Sequence, residues 1–157
     1  MRHSKKSQYT EIDERVIYIL VSPISNTFYL THCNKKILKN LYRQHLCGYY
    51  YKTKNWINEM KKQDLHPCLY VLDEVTCTKV EAFNYVIVWT KIFLDAGYIS
   101  VSQGNAMAYK DNLLDKNVPL YNERRNYNIK QIVQCKNCKV QNYNRVKCKM
   151  FQGEDND

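Results

Sequence analysis

The pattern of apolar and polar positions predicts a β-hairpin near the start of the chain. A run of β-branched and aromatic residues extends from Val16 to Val21, and a shorter run of the same kind extends from Thr27 to Thr31. The sequence SPISN between them is rich in residues that favour turns. Two such runs joined by a short turn are typical of two paired strands.

Two helices and a third strand are predicted after the hairpin. Asn34 is an N-cap candidate and Gly48 a stop signal for the first helix, and a second helix is predicted from about Thr53. The sequence HPCLYVLDEV predicts a third strand after the break at Pro67. The apolar side of the first helix is predicted to consist of Ile37, Leu38, Leu41 and Leu46.

The longest predicted helix begins with a capping box formed by Thr78 and Glu81 and continues to Gly97. Its apolar stripe marks it as the central core helix. The order β-β-α-α-β-α predicts an α+β fold, with a small three-stranded antiparallel or mixed sheet flanked by helices. Two polar helical stretches, at about 107–115 and 121–133, and a loop at the sequence SVSQGN complete the prediction.

The chain of 157 residues is long enough for one globular domain with a core and a small appendage. The main domain is predicted at 12–105. The remaining segments are a flexible basic arm at 1–11, a helical extension at 106–133, a candidate zinc knuckle at 134–150 and an acidic tail at 151–157. No run approaches the roughly 18 apolar residues that a membrane span needs, and no apolar signal region follows the polar N-terminus, so we expect a cytoplasmic protein without a membrane partner.

The formal net charge of +9 suits a polyanionic partner, because Lys and Arg that neutralise phosphates release condensed counterions. Between Thr31 and Lys62 there are eight Lys or Arg against one acid, Glu59. The chain is also rich in Lys, Asn, Tyr and Ile, as AT-rich coding sequence would supply, so the charge has a compositional explanation as well. The candidate nucleic-acid-binding residues are Lys35, Lys39, Arg43, Lys52 and Lys54.

Seven cysteines without an export signal indicate reduced thiols or metal ligands. Cys135 and Cys138 have the CxxC spacing of a zinc half-site, and Cys148 supplies a third ligand. A fourth ligand would have to come from elsewhere in the chain. Structural zinc and an unmetallated, reduced CxxC both stay open.

The residues from Ile12 to Asn105 carry a set of motifs in a characteristic order. The sequence VIY ends at Tyr18, YLT begins at Tyr29, and a helix ending YRQHL contains His45. A tryptophan, a proline and the long stretch EAFNYVIVWTKIFLDAG follow. In this order the chain resembles a divergent, degenerate member of the GIY-YIG nuclease superfamily, which implies a GIY-YIG-like α+β fold.

The resemblance implies a site for metal-assisted phosphodiester hydrolysis, in which two tyrosines, a helix arginine and a helix glutamate surround one divalent metal such as Mg²⁺. Tyr18 and Tyr29 match the two motif tyrosines, and His45 matches a frequent helix histidine. Leu41 occupies the arginine position, and Val86 occupies the position of the metal-binding glutamate. A valine cannot bind Mg²⁺, which prefers carboxylate oxygens.

Neighbouring residues are candidates to replace the two missing groups. Arg43 lies two residues from Leu41, about 200° round the helix, and Glu81 lies five residues from Val86, about 140° round. Glu81 is also explained by its place in the capping box. The catalytic candidates are therefore Tyr18, Tyr29, His45 and Arg43, with Glu81 as the candidate ligand of a divalent catalytic metal.

Three functions are open at this point. The favoured one is a GIY-YIG-like nucleic-acid-binding protein that is impaired or inactive as a nuclease, with DNA favoured over RNA. The second is an active, divergent, metal-dependent endonuclease. The third is an interaction or structural protein on the same fold that binds no nucleic acid.

Overall fold

A computed structural model describes residues 10–102, 117–127 and 129. Within these residues the chain forms four strands and four α-helices, with a 3₁₀ turn at Lys35–Ile37 ahead of the first helix. The strands are β1 (Asp13–Val21), β2 (Thr27–Asn34), β3 (Cys68–Cys77) and β4 (Ile99–Ser100). The helices are α1 (Leu38–Cys47), α2 (Lys54–Lys61), α3 (Lys79–Asp95) and α4 (Val118–Arg124).

The strands form one mixed sheet in the order β3-β1-β2-β4. The strand β1 pairs antiparallel with both β2 and β3, and β2 pairs parallel with β4. The predicted α+β class is confirmed, but the described sheet has four strands, whereas three were predicted. The prediction of a loop at SVSQGN is wrong at its first residue, because the amides of Ile99 and Val101 donate to Asn26 and Phe28 and extend the sheet.

Both faces of β1 are covered, since every side chain from Val16 to Val21 is buried. Successive side chains of a strand point to opposite faces. Tyr18 and its partner Thr31 therefore share one face, and Val21 and its partner Phe28 share the other. The first face carries α1 and α2, and the second carries α3, so the sheet lies between two helical layers.

The buried side of α1 agrees with the prediction in part. Leu38, Tyr42 and His45 are its buried residues, whereas Ile37 is 45% exposed and ends the 3₁₀ turn. The polar atoms of Tyr42 and His45 have partners in the interior; the Tyr42 hydroxyl, for example, donates to the Pro67 carbonyl at 2.6 Å. Leu41 and Leu46 are partly buried and pack against the core, as predicted. Counting apolar residues missed Tyr42 and His45 because hydrogen-bonded polar side chains can be buried at low cost.

The capping box at the start of α3 is confirmed. The Thr78 hydroxyl accepts from the Glu81 amide at 3.2 Å, and the Glu81 carboxylate accepts from the Thr78 amide at 3.1 Å. The helix packs its buried residues on the second face of the sheet, where Phe93 meets Phe28 with ring centroids 5.6 Å apart. This helix forms the centre of the core, as predicted.

Several sequence predictions lie outside the described residues. They concern the basic arm up to residue 9, the helical stretch at 107–115, the candidate zinc knuckle with Cys135, Cys138 and Cys148, and the acidic tail. The predicted helix at 121–133 corresponds in its first part to α4, which begins earlier, at Val118. Among the helices in the described ranges, none has the length and apolar character to cross a bilayer.

Candidate functional site

The structure brings Tyr18, Tyr29 and His45 together at the centre of the first sheet face. The hydroxyl of Tyr18 lies 3.2 Å from Nε2 of His45. The ring centroids of Tyr29 and His45 are 5.5 Å apart. The β1–β2 register explains this arrangement, because Tyr29 pairs with Leu20 and so lies on the same face as Tyr18, while α1 crosses above them.

Two residues that sequence reasoning missed complete the cluster. The hydroxyl of Thr53 lies 2.7 Å from Nδ1 of His45, and the ring of Tyr50 lies 4.4 Å from the His45 ring, centroid to centroid. Both come from the segment between α1 and α2. The chain returns to His45 because Gly48 adopts a left-handed conformation, with φ of 76°, that ends α1. The glycine was recognised as a helix stop, but the sequence carries no signal for the contacts that follow it.

Burial controls the chemistry of this cluster. Tyr18 and Tyr29 are each 1% exposed and His45 is 0% exposed. Burial raises the pKa of both tyrosines far above the usual value of a phenol, and the nearby Tyr50 raises that of Tyr29 further. Burial also lowers the pKa of His45 to about 4. At neutral pH the two phenols are protonated and the imidazole is neutral.

One assignment of hydrogens satisfies this network. The Thr53 hydroxyl donates to the Tyr50 carbonyl, at 3.5 Å, and therefore accepts from Nδ1–H of His45. Nε2 is then the acceptor for the hydroxyl of Tyr18. In this assignment the Tyr18 phenol donates to a neutral imidazole in the interior of the protein.

The structure does not bring the replacement candidates into the cluster. Arg43 is exposed on α1, two residues from the buried His45. Glu81 is exposed at the start of α3 and bonds Thr78. Val86 is buried on α3, which packs against the opposite face of the sheet from Tyr18.

The donor set does not fit a Mg²⁺ site. The side chains of the cluster offer hydroxyl groups and one imidazole, whereas Mg²⁺ is held in proteins mainly by carboxylates. In the described part of the chain, no group of three or more His, Cys, Asp or Glu side chains is placed to hold a metal ion. The three cysteines of the candidate zinc knuckle lie beyond the described residues, so zinc there stays a prediction.

Five basic residues lie outside this cluster, in the 3₁₀ turn, on α1 and α2, and in the segment between the two helices. We call them the basic face; they are Lys35, Lys39, Arg43, Lys52 and Lys54. Four of these side chains are exposed and that of Lys39 is half-buried. Lys35 pairs with Glu74 at 3.3 Å, both side chains being about half exposed. The chain from Lys35 to Asn58 contains no Asp or Glu.

Comparisons of the chain with protein-family models, with curated proteins and with solved structures find no match. The relationship to the GIY-YIG superfamily therefore stays a prediction from the quoted motifs.

Proposed function

We propose that this protein binds nucleic acid, DNA in preference to RNA, through the basic face and does not cleave it. The observation that carries the proposal is a difference in exposure on one side of the sheet: the basic residues are exposed, and the candidate catalytic residues are buried. The cations of α1, α2 and the segment between them face solvent, whereas the tyrosines and histidine that would perform hydrolysis are sealed beneath them. Binding of phosphates needs exposed cations, which are present, whereas hydrolysis would need the tyrosines and the histidine to reach the substrate.

The order of the elements supports a GIY-YIG-like origin for this fold. The chain begins β1-β2-α1-α2-β3-α3, which is the order expected from the resemblance. On this proposal, Tyr18 and Tyr29 keep their motif positions but now stabilise the core, and the replacement of the arginine and glutamate by Leu41 and Val86 accompanies the loss of catalysis. The function then rests on the surface of α1 and α2.

The test compares two variants with the same change in charge. Arg43→Glu with Lys54→Glu removes two cations from the basic face. Lys79→Glu with Arg125→Glu makes the same change at α3 and just after α4, in the other helical layer. Affinity for a labelled DNA is measured by fluorescence anisotropy over a range of salt concentrations. We expect the first variant to lower the slope of log affinity against log salt by about 0.7–0.9 for each phosphate that it no longer neutralises.

The control variant should keep the slope of the wild-type protein. Equal losses of affinity in both variants would show that net charge alone causes the binding and would contradict a specific basic face. Absence of salt-dependent binding in the wild-type protein would favour the third candidate function, an interaction or structural protein.

The same samples test for nuclease activity. Plasmid and single-stranded DNA are incubated with the wild-type protein in Mg²⁺ or Mn²⁺, and we expect both substrates to stay intact. Metal-dependent cleavage that disappears in a Tyr18→Phe variant would overturn the proposal in favour of an active endonuclease. Cleavage that persists in that variant would indicate a contaminating nuclease.

A further inference from the structure

Two tyrosine rings in the segment between α1 and α2 are exposed to solvent. Tyr49 is 82% exposed and Tyr51 is 78% exposed, the highest exposures among the large hydrophobic side chains of the described residues. Their backbone is fixed by hydrogen bonds. The Tyr49 amide donates to the Gln44 carbonyl at 3.0 Å, and the Thr53 amide donates to the Tyr50 carbonyl at 3.1 Å. The rings are therefore presented from a hydrogen-bonded turn.

Tyr50 connects this turn to the buried cluster. The rings of Tyr50 and Tyr51 are stacked, with centroids 6.1 Å apart and an angle of 23° between their planes. Tyr50 in turn contacts the rings of His45 and Tyr29. Tyr51 is thus linked through the Tyr50 ring to the buried cluster, while Tyr51 itself stays 78% exposed.

One cation contacts the Tyr51 ring, and two more lie close to the turn in sequence. Nζ of Lys52 lies 5.9 Å from the centroid of the Tyr51 ring, within range of a cation–π contact. Arg43 is next in sequence to Gln44, whose carbonyl accepts from the Tyr49 amide, and Lys54 is the first residue of α2. Exposed aromatic rings beside cations are the two components of surfaces that bind single strands, where bases stack on the rings and phosphates meet the cations.

Duplex DNA offers much less to such a surface. Its bases are already stacked on one another, and only its phosphates are free to contact Lys or Arg. The bases of a single strand expose their π-faces, and stacking tolerates any sequence. We infer that Tyr49 and Tyr51 stack on bases of single-stranded nucleic acid, while Arg43, Lys52 and Lys54 contact its phosphates.

This inference rests on the proposed function and adds the class of ligand to it. Stability offers no competing reason for the two rings, because a ring that is four-fifths exposed on folding removes little apolar area from water. Lysine and arginine would bind phosphates equally well without the tyrosines. The rings therefore distinguish a surface that stacks on bases from one that contacts only phosphates.

The experiment measures the affinity of the full chain for a labelled oligothymidine, for a duplex of the same length and for an abasic strand of the same length. The variant Tyr49→Leu with Tyr51→Leu keeps apolar side chains and removes the aromatic rings. The matched control, Tyr49→Phe with Tyr51→Phe, keeps the rings and removes only the hydroxyls. A cooperative urea transition for each variant establishes that it is folded.

We expect the leucine variant to bind oligothymidine about tenfold more weakly or worse, and its affinity for duplex to change less than about twofold. The phenylalanine variant should bind both as the wild-type protein does. The abasic strand should bind the wild-type protein about as weakly as oligothymidine binds the leucine variant.

Failure of this inference is distinguishable from failure of the proposed function. If the wild-type protein binds single strand and duplex with salt-dependent affinity but the leucine variant binds both equally well, stacking is overturned and the basic face stands. If the wild-type protein binds neither ligand, the proposed function fails and this inference fails with it. Equally weakened binding in the leucine and phenylalanine variants would assign binding to the hydroxyls and would also overturn stacking.

Discussion

The hydroxyl of Tyr18 and Nε2 of His45 lie 3.2 Å apart inside the protein, where neither side chain is more than 1% exposed. This contact joins β1 to α1, at residues that are 27 positions apart in the chain. The sequence resemblance predicts that the same two residues belong to a nuclease site. Because both are buried, we propose that they stabilise the fold, and this proposal can be tested.

The first prediction concerns Tyr18→Phe, which removes one hydroxyl and keeps the ring. The change leaves Nε2 of His45 without its partner in the interior, so we expect the free energy of unfolding to fall by about 1–2 kcal/mol. Urea denaturation followed by tryptophan fluorescence measures it. The control is Tyr127→Phe, at a ring that is 46% exposed, and it should change stability by less than about 0.5 kcal/mol.

Tyr18→Phe should also leave nucleic-acid affinity unchanged, because the hydroxyl is closed off from the basic face. Unaltered stability together with reduced affinity would contradict the structural assignment. That result would make Tyr18 a candidate functional residue again.

The second prediction follows from the pKa of His45, which burial lowers to about 4 from an unfolded value of about 6.5. Below pH 6.5 the unfolded state binds a proton at His45 that the folded state does not bind. The contribution of His45 to the free energy of unfolding is therefore fully present above pH 6.5 and is lost as the pH falls toward 4. This single histidine should cost the protein about 3 kcal/mol over that interval. Denaturation curves collected between pH 4 and 7 measure the loss.

Carboxylates also titrate in the lower part of this interval, and burial beside Arg15 lowers the pKa of His32 to about 4 as well. The comparison is therefore made between variants. His45→Gln should be less stable at pH 7 but should lose less stability on acidification, since it has no imidazole to protonate. His32→Gln should also lose less stability on acidification than the wild-type protein, because it removes the second imidazole whose pKa burial lowers. A His45→Gln slope equal to that of the wild-type protein would contradict the prediction.

Local signals in the sequence were sufficient for the hairpin, the start of α3 and the order of the main elements. The start of α1 was predicted too early, because Asn34 caps the 3₁₀ turn that precedes it. The capping box of Thr78 and Glu81 is an example of a sufficient signal, because it needs only two side chains three residues apart. The strand β4 was missed for the opposite reason. It is two residues long, and it exists because amides near Ile99 pair with the distant β2. Such non-local pairing leaves no pattern in a short sequence window.

For the candidate site, too, one part could be predicted from the sequence and another part could not. The resemblance implied that Tyr18 and Tyr29 belong to one site, and the hairpin register places both on one face. Sequence could not indicate that this face is closed, because burial depends on how α1 and the turn after Gly48 pack over it. The contacts of Thr53 and Tyr50 with His45 were not predicted, because they arise from that packing.

The final prediction concerns the ion pair that joins α4 to the sheet. Nε and Nη2 of Arg124 lie 3.1 Å from the two carboxylate oxygens of Asp73, and the indole of Trp89 donates to the same carboxylate at 2.6 Å. The side chains of Arg124 and Asp73 are only 12% and 13% exposed. Since the pair is largely shielded from water, removing one partner leaves an uncompensated charge in the other.

We expect Arg124→Ala to lower the free energy of unfolding by about 2–3 kcal/mol. Arg124→Lys should recover part of this, because lysine restores the charge but not the two parallel hydrogen bonds. The matched control is Arg125→Ala, at the exposed neighbouring residue, which should cost less than about 0.5 kcal/mol. Urea denaturation of the three variants measures the differences. Equal stabilities for Arg124→Ala and Arg125→Ala would mean that α4 is not coupled to the folding of the sheet through this pair.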